Sequence, residues 1–374
     1  MNINSTIPLN SHELKFTFNK SLLFLFLIYF CFPKISFINI GNFDVRFLDV
    51  ISIFITIITF TKLKIPKNIF VFFSLFFLLQ LIIGYFYNDI ISFLYVFRLF
   101  QYIVLGFGFY LLMTGKYKIT FIKFFLIIQF TVCILQYLLV LPNYDPGRGV
   151  IYSSEFSGTF GTPAEFTYFL ISLVSIFMGL TFFRHMIFVI PPSLSGVLFG
   201  TFLMFISVFR RMISLIPKIL MIVAPYIFLL FLVLYFIDFE TIKNFLLDPG
   251  FESKSLTKGE SINPRELDGP TTLLMRGAKF IDALLYMLNN IFVLMFGCGY
   301  GCGSGAMDSG VVRIILEFGI LFSLVLFFTT KHISKYTLFV LISVNFLFDG
   351  FWSSHVAPVL FAAIFYDLNS REKI

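Results

Sequence analysis

Long apolar runs recur along much of this chain, most of them near the roughly 20 helical residues that cross a hydrocarbon layer. Short basic clusters punctuate every second gap between them. A water-soluble fold has no use for that pattern, because most of its helices would present apolar side chains to water. Composition agrees: 59% of the 374 residues are hydrophobic, 13% are charged and mean hydropathy is +0.95, too few charges to clothe a water-facing surface. The 57 Phe residues suit lipid-facing surfaces. An AT-rich genome would also enrich them, so they carry no function.

The spacing predicts spans near 21–40, 46–61, 69–87, 91–113, 119–141, 163–183, 186–194, 195–209, 217–237, 311–329, 336–350 and 354–368. The expected fold is all-α, a single integral membrane domain over 1–374 with about twelve transmembrane helices. The stretch 186–209 is split into a short hairpin around Pro191, Pro192 and Ser193, because one helix would put the Arg210, Arg211 pair on the wrong side. The first run, Ser21 to Phe32, lacks a small-residue cleavage site and reads as a retained span, not a secretory signal.

The net charge of +7 would suggest an anionic partner in a soluble protein, but here placement matters more than the sum. Lys15 and Lys20, Lys62 to Lys67, Lys116 to Lys123, Arg184, Arg210 to Lys218, Lys331 and Lys335, and Arg371 and Lys373 all fall at alternate boundaries. Placing them in the cytoplasm leaves Glu13, Asp367 and Glu372 as the acids there and puts both termini inside. No nucleic-acid partner is called for. Two polar segments, 142–162 and 238–310, then share the outer face as a first and a second outer loop. Neither an internal repeat nor symmetry between halves is visible, which is mild evidence against transport.

Candidate chemistry concentrates in those loops. In the first, Arg148 sits in a Pro- and Gly-rich turn and Glu155 shortly precedes Ser157, Gly158 and Thr159. A guanidinium in such a loop suits paired binding of a phosphate, and equally suits snorkelling to lipid headgroups. In the second, Arg265 lies in a charged stretch, and Thr272 to Phe296 is amphipathic with Arg276, Lys279 and Asp282 at helical spacing. That pattern predicts an interfacial helix; it either presents Arg276 to a lipid-linked substrate or, more simply, anchors the surface. A glycine-rich stretch, GCGYGCGSG, leads to a helix starting near Asp308 and Ser309. Asp308 reads as an N-cap or as a base. Cys298 and Cys302 are read as a structural pair without a metal, and Cys31 and Cys133 as small apolar residues within spans.

Ionisable residues inside apolar runs are costly and face a bundle interior or a cavity. Arg98, Arg313, Glu317 and Asp349 are of this kind. Arg98, about two turns from the outer surface, either reaches a diphosphate or pairs with an internal carboxylate. His355 reads as an interface residue.

Taken in order, INIGNFDVRFLD, SGTFGTPAEF, PPSLSGV, the large second loop, GCGYG and DSGVVRIILEFGI resemble the O-antigen polymerase (Wzy-type) and O-antigen ligase superfamily of bacterial envelope glycosyltransferases. Ligases carry a His, then Asn, Ser or Gln, nine residues and a Gly at the mouth of the late helix. Here Asp308 takes the His position, followed by Ser309, nine residues and Gly319, which favours polymerase. The Arg usually found just before SGTF is absent, with Glu155 nearby.

The resemblance implies a GT-C-like bundle in the bacterial cytoplasmic (inner) membrane with periplasmic or extracellular loops. The implied reaction transfers a growing glycan from one undecaprenyl diphosphate carrier to a carrier-linked repeat unit. It implies catalytic roles for Arg148 and for Arg276 or Arg265. Asp308 and Glu155 are candidates to align or deprotonate the acceptor hydroxyl, and Arg98, Arg265 and Arg313 to bind the diphosphate. No cofactor and no metal are expected. The implied partners are undecaprenyl-diphosphate-linked oligosaccharide, membrane lipid, a chain-length regulator and a flippase. The alternatives are an O-antigen ligase and a non-enzymatic flippase for lipid-linked oligosaccharide.

Overall fold

A computed structural model describes residues 11–40, 43–60, 67–88, 91–145, 149–151, 157–178, 215–220, 227, 283, 286–302, 310–329 and 333–371. These residues are 79% helix and 4% strand. The elements run α1 (Ser11–Cys31), β1 (Ser36–Ile40), β2 (Phe43–Arg46), α2 (Phe47–Phe60), α3 (Lys67–Asn88), α4 (Ile91–Thr114), α5 (Lys118–Tyr137), β3 (Asn143–Asp145) and β4 (Gly149–Ile151). They continue with α6 (Pro163–Leu173), a π-helical turn (Val174–Met178), α7 (Ile291–Phe296), α8 (Gly310–Thr329), α9 (Lys335–Leu347), a 3-10 turn (Gly350–Trp352) and α10 (Val356–Arg371).

Two of these helices, over Phe93–Thr114 and Lys118–Tyr137, are long and apolar enough to cross a membrane; several shorter apolar helices accompany them. The expected spans 186–194 and 195–209, the hairpin at Pro191 to Ser193, and most of 217–237 lie outside the described residues.

α4 and α10 pack along each other at the centre, flanked by α1, α2, α3 and α6. Gly106 makes that approach possible, since a Cβ there would run into Phe361 and the backbone of Ala362. Phe26, Phe30, Phe109, Phe121, Phe125, Phe160 and Phe169 fill the main core in tilted and edge-on contacts. Outward faces are equally apolar: Ile53, Phe54 and Ile57 on α2, Leu75, Leu78 and Phe86 on α3, and Phe124, Ile127 and Ile134 on α5 are all exposed. A chain with this little polar surface is apolar inside and out.

The structure corrects three expectations. The first run does not continue as helix to residue 40: α1 ends at Cys31, ahead of Pro33, and the chain reverses through an antiparallel pairing of β1 with β2. A second ribbon joins β3 to β4, so the fold is mainly helical and not purely α. The helix foreseen over 272–296 is interrupted at Asn290, whose side chain accepts from Val293 N at 3.3 Å and starts α7 afresh.

Candidate functional site

Three buried bonding systems stand out, and the first and third of them meet at one short turn, residues 349–355, between α9 and α10.

The first joins chain segments more than a hundred residues apart. Thr162 caps α6, its Oγ1 accepting from Glu165 N at 3.2 Å behind Pro163 at the first helical position, which sets Glu165 at the head of the helix. Its carboxylate accepts from Lys34 Nζ and from Ser353 Oγ, and His355 Nδ1 lies 3.9 Å away. Lys34 and Glu165 are both buried. His355, expected at an interface, has no exposed surface; it is enclosed by the rings of Tyr29, Phe30 and Phe160 at 5.9, 6.1 and 4.6 Å. Tyr29 Oη donates to the Ser354 carbonyl at 2.6 Å, tying α1 to the same turn.

The second system holds Arg98 on α4. Its guanidinium donates to Asp49 at 2.6 Å and to the Asp44 carbonyl at 2.5 Å and lies 3.9 Å over the Phe43 ring. The internal carboxylate is therefore Asp49, at the start of α2. Tyr102, one turn along α4 from Arg98, is buried as well.

The third gathers Arg313, Glu317 and Asp349. Arg313 donates to Glu317 at 2.8 Å and to Asp349 at 3.1 Å, and Trp352 Nε1 donates to the other Glu317 oxygen at 2.7 Å. Trp352 stacks on Tyr300 of the glycine-rich stretch at 5.8 Å, and Tyr300 N donates to Gln80 Oε1 on α3 at 3.1 Å. Burial pushes the Tyr300 hydroxyl well above its ordinary pKa.

The glycines explain how the glycine-rich stretch reaches this place. α8 breaks at Gly319 (φ 73°), where a Cβ would strike the backbone of Met295 and Gly297. Gly297 (φ 81°) in turn leaves room for no Cβ against Glu317 and Phe318. Carbonyls released by the break are used: Cys298 N donates to Leu316 O and Gly299 N to Glu317 O, both at 3.0 Å. Cys298 and Cys302 are disulfide-bonded across this turn, with Cα atoms 5.9 Å apart.

The SGTF element is held just as specifically. Gln129 donates to Thr159 Oγ1 at 2.7 Å and accepts from Thr159 N at 3.0 Å; Gln136 donates to Gly158 O at 2.7 Å and accepts from Gly158 N at 3.0 Å. Phe160 is thereby placed against His355.

Arg148, Glu155, Arg265, Arg276 and Asp308 lie outside the described residues; Arg148 falls in the connection between β3 and β4. Of the predicted site residues, Arg98 and Arg313 are placed. Both are buried and engaged by carboxylates, although Arg98 Nε makes no hydrogen bond among the described residues. Sequence reasoning passed over Lys34, Glu165, Asp49, Gln129 and Gln136. The usable signal was polarity inside apolar runs, which Lys34, Gln129 and Gln136 each display. Chemically, the described cluster sets arginines, carboxylates and indole and phenol donors in fixed orientation beside the return of both polar segments. Comparison with known proteins is negative throughout: no protein family, no curated protein and no solved structure matches this chain.

Proposed function

We propose that this chain is a repeat-unit polymerase for a bacterial surface polysaccharide, O-antigen or capsule. It crosses the cytoplasmic membrane about twelve times with both termini inside, and transfers the growing glycan from undecaprenyl diphosphate to a lipid-linked repeat unit on the outer face. One observation carries the reading: the returns of both polar segments, at Phe160 to Glu165 and at Tyr300 to Arg313, seat on the single turn 349–355. A transfer between two lipid-linked substrates needs both loops over one place. With basic clusters inside, alternation of the helices puts that turn on the outer side.

The leaving group in this reading is a lipid diphosphate, which departs without a strong acid while its charge accumulates. Arginines stabilise such charge without proton transfer. Arg148 and Arg276, or Arg265, act on the diphosphate from the loops. Arg98 and Arg313, oriented by Asp49, Glu317 and Asp349, support the field from below. Asp308 or Glu155 aligns the acceptor hydroxyl and accepts its proton.

The glycan ladder of a deletion strain tests this. A polymerase predicts loss of long chains with a single repeat still attached, whereas loss of every repeat indicates a ligase or a flippase. Arg148→Ala and Arg276→Ala, with membrane insertion checked, are expected to give the single-repeat pattern; normal ladders from both overturn the site assignment. Polymerisation in isolated membranes is expected to survive chelation of divalent ions, and loss that one specific ion restores defeats the metal-free mechanism.

A further inference from the structure

We infer that the β1–β2 hairpin is a lipid-contact surface, an apolar ribbon lying in the outer interface of the bilayer and fastening Arg98 at headgroup depth. This rests on the membrane reading above but not on the polymerase reading.

The register of the ribbon shifts between Ser36 and Ile38. Such an irregularity turns consecutive side chains toward one side, and Phe37 and Ile38 are indeed both exposed, at 53% and 51%. Ile35 and Phe47 are exposed as well, and exposed apolar side chains continue along α2 at Val50, Phe54 and Ile57. A face continuous with a lipid-facing helix stripe is covered by the same solvent.

Depth is bracketed from both sides. Phe37 and Ile38 favour hydrocarbon over water. The base of the ribbon carries Asp44 and Arg46, whose charges pure hydrocarbon would not accept. The interface meets both demands. The polar roots of the ribbon agree: Arg46 lies 3.7 Å from Asp44, and the Asp44 carbonyl and Phe43 ring hold Arg98. One hairpin thus carries both the exposed Phe37 and Ile38 and the groups that hold Arg98.

The test is depth-resolved quenching in phosphatidylcholine vesicles brominated at chosen acyl positions, read as a difference from the native chain, whose single Trp352 supplies the background. Phe37→Trp, with Ile38→Trp as a second variant, is expected to be quenched most by bromines near the headgroup end. Phe54→Trp, midway along α2, is expected to be quenched most by deep bromines. If Trp at 37 and 38 responds to aqueous iodide and to no bromolipid, the ribbon faces water. If it responds to neither, protein covers it; if deep bromines quench it most, it is not interfacial. Each of these results overturns the inference while Phe54→Trp still reports the membrane. If Phe54→Trp is also indifferent to bromolipid, the membrane reading fails and the inference falls with it.

Discussion

Glu165 joins three distant segments of the chain. Its carboxylate is shared by a lysine from the α1 to β1 connection and a serine from the turn before α10, so three distant segments lose a common anchor without it. Removing one member of a buried pair leaves the other charge without compensation, at a cost of about 3–5 kcal/mol. Glu165→Gln is therefore expected to lower the thermal unfolding midpoint of the detergent-solubilised protein sharply. Adding Lys34→Met should recover most of the loss, because the orphaned ammonium is then gone. A double variant as unstable as the single one would show that the charge pair is not what matters. Arg98 and Arg313 illustrate how far residue type alone carries. Their place in apolar runs announces that they face an interior, yet nothing in the sequence names Asp49 and Asp349 as their acceptors. Partners 36 and 49 positions away are chosen by packing.

At the scale of elements, the broken helix α8 gives physical content to a spacing. Gly319 was legible as the end of a pattern, and the reason for a glycine there is a backbone crossing: Gly319 and Gly297 meet where neither has room for a side chain. Gly319→Ala must adopt a positive φ as well as displace Met295, so a loss of more than about 1 kcal/mol is expected, read as a lower unfolding midpoint. The native midpoint in that variant would mean the break is not needed. Helices such as α2, α3 and α4 follow the apolar runs closely, because burial and lipid exposure both reward the same side chains. The first ribbon did not, because alternation over a few residues is lost inside a longer apolar run. Gln129 and Gln136 likewise read as mere blemishes in an apolar helix, whereas they satisfy the backbone of the SGTF turn.

At the scale of the whole molecule, orientation in the membrane is open to direct measurement. A cysteine placed at Ser193 is expected to be labelled from outside intact cells by a membrane-impermeant maleimide, seen as a gel shift. Labelling only after the membrane is opened would invert that hairpin. The sequence by itself determined that the chain is helical and apolar on nearly every side, and where its charges gather. Those properties are local sums, set by side-chain transfer energies and by spacing along one helix. Which buried charges pair, where α8 breaks, and that Phe160, Glu165, Tyr300 and Arg313 all meet the turn 349–355 were decided only in the tertiary structure. Each depends on contacts between residues far apart in the chain, and one-dimensional periodicity is blind to them.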